Sequence, residues 1–205
     1  MDATQRRAEA KRRQIVEAAR ETFLGNGFAG SSMDAIVATA QVSKQTLYRY
    51  FPSKNELFAA VLTSEVEIAG IFPATLPRLE SIDDLRAALL AVARVVTDEM
   101  LQPDRVALMR LVFGEAFRLP ELRETIRDAL PGQFFGMVQR LLAAAAASGL
   151  VSVDRLEIPA RMYVGSVFSY VALDGFLRVE PLPPPPTADL ERLVDAFLRS
   201  VEAPR

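Results

Sequence analysis

From Lys11 onward the apolar side chains fall at Ile15, Ala18, Ala19 and Phe23, the three-or-four-residue repeat that places them on one face of a helix. The segment GNG, residues 25–27, predicts the end of that helix, because glycine and asparagine accept the left-handed backbone that closes one. In SSMDAIVATA, residues 31–40, Ser31 and Asp34 have the spacing of a capping box, and Met33, Ile36, Val37 and Ala40 form an inward face barely two turns long. A third helix is expected from Ser43, a good N-cap, with Leu47 and Phe51 as its inward anchors. Pro52 breaks it, and SKNE, residues 53–56, has the capping spacing that launches a longer helix through Leu57, Val61, Leu62 and Ile68.

Beyond this point the period stays helical and never alternates as a strand would. Pro73 and Pro77 interrupt the pattern, and Ser81 with Asp84 restarts it for a segment reaching Met100. Pro103 opens a helix to Leu119, and Pro120 opens another to about Leu130, both in the first-turn position that proline tolerates. A long apolar helix over 132–148 follows, then a connector, GLVSVDRLEIP, and a helix over 159–179. PLPPPP, residues 181–186, reads as a stiff extended spacer before a last helix over 187–201. The expectation is an all-α chain of about nine helices, with a small N-terminal domain at 1–55 and a larger helical one at 56–205.

Composition narrows the chemistry. Without cysteine or histidine the chain lacks disulfides, thiolate catalysis, imidazole acid-base chemistry and the common transition-metal ligands. No cofactor and no metal site are expected. The acids are scattered over helix surfaces and no nucleophile or phosphate-loop motif is present, so an enzyme is not expected. GNGFAG, residues 25–30, matches the literal G-x-G-x-x-G string of dinucleotide sites, but a helix precedes it where that motif requires a strand. No apolar run approaches the roughly 20 residues of a membrane helix, and the N-terminus is charged, so a cytoplasmic protein with no membrane partner is expected.

Charge is segregated. Residues 1–55 hold nine Lys or Arg against five Asp or Glu, a balance of +4, while 56–205 hold fifteen against twenty-one, a balance of −6 within the chain's net −2. A basic segment on an acidic body suggests a polyanionic partner for the first part alone. Two short helices joined by a tight turn and braced by a third make a helix-turn-helix, whose second member enters the major groove. Here Val42, Leu47 and Phe51 hold the third helix inward and leave Lys44, Gln45, Thr46, Tyr48 and Arg49 outside. Gln45 and Thr46 can exchange hydrogen bonds with base edges; Lys44 can reach a guanine edge or a phosphate; Tyr48 can bond a phosphate or pack on a thymine methyl. Ser31, Ser32 and Ser43 at helix starts, Tyr50, and Lys54 at the next start complete the DNA-binding set. A merely solvated face is the competing reading of each residue, and a helical small-molecule-binding or interaction module without a DNA role is the competing reading of the chain.

Residues 11–62 resemble the DNA-binding domain of the tetracycline-repressor (TetR/AcrR) family. The likeness is carried by the AAxxxFxxxGF pattern of the first helix, SxxxIVxxA of the second and VSKxTLYRYFxSKxELF of the third and fourth. Gln41 departs from the family, which usually has glycine in this turn; a left-handed residue there would bear up to about 1–2 kcal/mol of strain. LMRLVFGEAFRLPELRETI, from Leu108 to Ile126, resembles the AefR-like C-terminal subgroup. The resemblance implies a homodimeric transcriptional regulator, by family default a repressor, whose C-terminal domain binds a small-molecule effector and so controls release of a double-stranded DNA operator. Two-fold symmetry would place the recognition helices roughly 34–36 Å apart on a near-palindromic site. Gly165, Ser169, Ala172 and Phe176, with Leu190, Val194 and Phe197 of the last helix, are the expected dimer interface, with structural core as the alternative. Met100, Met109, Phe113, Phe117, Phe134, Met137, Met162 and Phe168 are expected to line an adaptable apolar pocket, with Glu115 and Tyr163 as polar contacts; core is again the alternative for each.

Overall fold

The computed structural model describes residues 3–69, 72, 75–116, 123–128, 130–153 and 155–201. The Ile68 side chain, Pro73, Phe117, Leu119 and Pro120, all named above, lie outside the described residues. Apart from an isolated bridge at Val151, the regular structure among the described residues is helical, and none of its helices is long and apolar enough to cross a membrane. The chain divides into two compact units, one made of Met1–Ile68 with Leu108–Ala129 and the other of Ala69–Ala107 with Leu130–Arg205.

The first unit holds α1 (Ala3–Gly30), α2 (Met33–Ala40), α3 (Lys44–Tyr50) and α4 (Lys54–Ala69), with α7 (Arg123–Asp128) and the C-terminal part of α6 (Pro103–Ala116). Gly27 interrupts α1 with φ 70°, ψ 168°, which places the expected break inside GNG. The predicted anchors Ile15, Ala19, Phe23, Ile36, Leu47, Leu57 and Val61 are all buried in one cluster with Phe58, Leu108 and Val112. Three rings at its centre, Phe23, Phe28 and Phe58, sit 4.9–5.6 Å apart in tilted and edge-on geometries, each pair worth about 0.5–1.5 kcal/mol beyond area burial. Thr22, buried among them, gives its hydroxyl to the Ala18 carbonyl at 2.7 Å, so no polar atom is stranded.

The second unit contains α5 (Ile82–Met100), the start of α6, α8 (Leu130–Ala147), α9 (Glu157–Tyr170) and α10 (Thr187–Val201). Ser81 and Asp84 form the expected capping box in both directions, Asp84 N–H to Ser81 Oγ at 3.2 Å and Ser81 N–H to Asp84 Oδ2 at 2.8 Å. The expected helix over 159–179 begins earlier, at Glu157, and after Tyr170 widens into a π-helical turn, Val171–Phe176, where Leu177 N–H reaches back five residues to Ala172. Gly175 is explained by proximity: a Cβ there would stand 2.9 Å from Leu101 Cδ2. Arg86 of α5 holds Asp195 of α10 with two N–H···O bonds, at 2.5 and 3.1 Å, and Tyr163, fully buried, gives its hydroxyl to the Leu89 carbonyl.

Candidate nucleic-acid interface

The turn between α2 and α3 is built from the backbone outward. Gln41 adopts φ 50°, ψ 47°, and is the one non-glycine residue with positive φ among the described residues. The strain expected from its identity is therefore present, at about 1–2 kcal/mol. Compensation comes from hydrogen bonds that close α2: Gln41 N–H to the Ala38 carbonyl, Val42 N–H to Val37, and the Gln14 side-chain amide to the Ala40 carbonyl at 2.7 Å. Ser43 then caps α3, its Oγ accepting from Thr46 N–H at 3.1 Å. Leu47 is fully buried and Phe51 nearly so, with the Arg12 guanidinium 5.5 Å from the Phe51 ring centre. With its inner face pinned, α3 turns Lys44, Gln45, Tyr48 and Arg49 outward, while Thr46 and Tyr50 are half-buried. Tyr48 is 41% exposed, high for an aromatic on a seven-residue helix, and Arg49 lies over the Tyr50 ring at 5.3 Å.

Two details differ from the sequence reading. The N-cap of α2 is Ser32, whose Oγ accepts from Ala35 N–H at 3.1 Å. Ser31, one residue earlier, is buried with its Oγ 2.7 Å from the Gly27 carbonyl and 3.1 Å from that of Thr22, where it ties the α1–α2 corner. Lys54 is likewise drawn inward: its Nζ donates to the Phe28 carbonyl at 2.7 Å and to that of Ser31 at 3.0 Å, and sits 4.3 Å from the centre of the Phe28 ring. Carbonyls around the end of α1 attract an ammonium whose stem α4 delivers there, a pairing 23 and 26 residues apart that no local spacing rule reveals. Lys44, the other lysine of the set, is exposed but paired with Asp34 of α2 at 2.8 Å. That hydrogen bond, then the charge of the carboxylate, hold the Lys44 ammonium above its ordinary pKa.

The other expected site residues separate. Met109, Phe113 and Glu115 fall in the first unit, and Met100, Phe134, Met137, Met162, Tyr163 and Phe168 in the second. Met100, Phe134, Met137 and Tyr163 are buried, and burial pushes the Tyr163 phenol far above its ordinary value, so it is a neutral donor satisfied by Leu89 rather than an open polar contact. Met162 is half exposed on the outside of α9. The apolar cleft within the second unit, about 120 Å³, is lined by Pro77, Ala88, Ala91, Val92, Val95, Met137 and Leu141, so Met137 alone of the expected residues reaches it. Of the expected dimer residues, Gly165 and Ser169 are exposed and Ala172 and Phe176 half-buried, whereas Leu190, Val194 and Phe197 are buried. The apolar stripe of α10 packs on α5 and α9 of its own unit, which buries these three side chains within the chain itself.

Comparison with known proteins decides what this arrangement is. The description "Bacterial regulatory proteins, tetR family" matches residues 15–61, and "AefR-like transcriptional repressor, C-terminal domain" matches residues 87–201, more than half of the chain. The chain belongs to the TetR family. Among TetR-type relatives, the regulator UidR of Escherichia coli K12 is 42% identical over 129 residues, 62% of this chain and 63% of its own. An HTH-type transcriptional regulator of Mycobacterium tuberculosis H37Rv is 28% identical over 173 residues, 83% of this chain and 77% of its own. The structure of the flavonoid-responsive regulator FrrA superimposes with a TM-score of 0.78 at 29% identity, covering 95% of this chain and 98% of that one. As a TetR-family regulator the chain is a DNA-binding, helix-turn-helix protein of transcription, and its α2–turn–α3 segment lies within the matched DNA-binding region.

Proposed function

We propose that the protein is a homodimeric, ligand-responsive transcriptional repressor that grips a near-palindromic operator through two copies of α3 and lets go when a small, largely apolar effector binds. Division of labour follows the chain: residues 1–55 meet DNA, and 56–205 bind the effector and the second subunit. The observation that carries the reading is the outer face of α3, where Lys44, Gln45, Tyr48 and Arg49 are exposed on a helix whose inner face is locked by Leu47. Lys44, Tyr48 and Arg49 serve the phosphates, and Gln45 with Thr46 the base edges. Ser32 and Ser43 present capped helix starts to the backbone, while Ser31, Tyr50 and Lys54 shape the corner that holds them.

A second subunit fits the outer side of α9. Ile158 and Met162 are 57% and 50% exposed there, Gly165 and Ser169 leave room for close approach, and Leu173 in the π-helical turn is 61% exposed. Apolar surface left uncovered along one helix favours self-association across a two-fold axis. The apolar cleft against Met137 and Leu141 supports an uncharged, apolar effector; the structural neighbour FrrA is described as flavonoid-responsive. Release requires the effector to favour a conformation that DNA does not. Sequencing duplex fragments retained by the purified protein tests the proposal: two half-sites about one helical turn apart are expected, and recovery of fragments without dyad symmetry would contradict it.

A further inference from the structure

Asp34 is the only acidic residue between positions 22 and 55, and it stands on the first turn of α2 facing the start of α3. Its carboxylate holds Lys44 Nζ at 2.8 Å, although both side chains remain mostly exposed, at 69% and 62%. The pair belongs to neither hydrophobic core, and both helix starts are already capped, α2 by Ser32 and α3 by Ser43. The ion pair thus sits on the surface that, on the reading above, approaches a polyanion, and it engages the one lysine of the α3 outer face.

We propose that Asp34 is a built-in competitor of the DNA backbone: it occupies Lys44 in the free protein and yields it to a phosphate on binding, setting the affinity and salt dependence of recognition. The exchange is one ion pair for another. When Lys44 turns to a phosphate its bond to Asp34 is given up, and that lost pairing offsets part of the attraction. Phosphate contacts carry no sequence information, so the restraint acts on operator and unrelated DNA alike. A basic helix-turn-helix is thereby kept from clinging to every duplex it meets, and the operator is favoured through base contacts that Asp34 does not oppose.

This inference rests on α3 being the DNA-reading helix, and the experiment separates the two. Fluorescence anisotropy of the full-length protein would use a labelled duplex recovered with the wild type and a scrambled duplex of the same length, across a salt series. The chains compared are the wild type, Asp34→Asn, Lys44→Ala and the double variant, with Asp34→Ser as a second neutralisation of different shape. Both single Asp34 variants are expected to bind both duplexes about 3- to 10-fold more tightly at ~0.1 M salt, with a log–log salt slope steeper by up to about 0.9. The double variant should match Lys44→Ala. Unchanged or weaker binding by both Asp34 variants overturns the proposal, as does a gain that persists without Lys44, since Asp34 would then act on DNA directly. If Lys44→Ala itself binds like the wild type, the fault lies with the assignment of α3.

Discussion

α3 and α9 leave opposite kinds of surface uncovered. α3 buries Leu47 and displays cations, an amide and a phenol; α9 buries Ala160, Tyr163 and Val167 and displays Ile158 and Met162, with Leu173 exposed on the π-helical turn that follows. Each has an inner face that its own unit consumes, so the outer face is what selection was free to shape for a partner. A charged, hydrogen-bonding face on a short capped helix suits a polyanion whose edges are polar. An apolar face with small residues between larger ones suits a surface like itself.

The contrast can be broken at its inner faces first. Leu47→Ala should cost about 2–5 kcal/mol of stability, because a fully buried leucine leaves a cavity where α3 joins the core. Leu173→Ala, in protein diluted until it is monomeric, should move the denaturation midpoint by no more than about 0.5 kcal/mol; chemical unfolding of both would show whether the two leucines differ as their exposure implies. At the outer faces, Met162→Asp with Leu173→Asp should weaken self-association by roughly 100-fold or more and leave helicity intact, as read by sedimentation equilibrium; a dimer of undiminished strength would move the interface elsewhere.

A smaller effect sharpens the turn. Gln41→Gly should raise stability by up to about 1 kcal/mol by relieving the left-handed residue, and no gain in melting temperature would mean that the strain is already absorbed by the Gln14 and Val42 hydrogen bonds. The smallest concerns acid. Hydrogen bonds from Arg86 hold the Asp195 carboxyl below its ordinary range, and those from Ser81 and Glu80 do the same for Asp84. A depressed folded-state pKa gives stability that is present above the ordinary carboxylate value of about 3.9 and is lost as pH falls through and below it. Asp195→Asn should therefore be less stable than the wild type at pH 7 and lose less between pH 5 and pH 3, as followed by circular dichroism.

The first unit was largely legible in the chain. α1, α2 and α3 carry an anchor spacing and a cap or stop signal in their local sequence, and Ile15, Ala19, Phe23, Ile36, Leu47 and Leu57 are buried as their period predicts. What local pattern could not supply was long-range partnership. Lys54 is basic and near the start of a helix, yet its ammonium is drawn back to the Phe28 and Ser31 carbonyls. α10 has a clean apolar stripe, but periodicity says only that the stripe is covered, not whether by α5 and α9 or by another copy. Met162 is ambiguous for the same reason: a methionine on a nearly all-apolar helix fits pocket, core or interface equally well until its neighbours are known. The π-helical turn after Tyr170 left no signal in spacing at all.

The central claim is that the outer face of α3 meets DNA, and the most direct measurement is a mobility shift on duplex from beside the protein's own gene, across a salt series, with Lys44→Ala and Tyr48→Ala alongside the wild type. The account predicts binding by the wild type that weakens steeply with salt, and markedly weaker binding in both variants while their helicity is unchanged. Retention of the shift by both variants, or no shift by the wild type even at low salt, would contradict it.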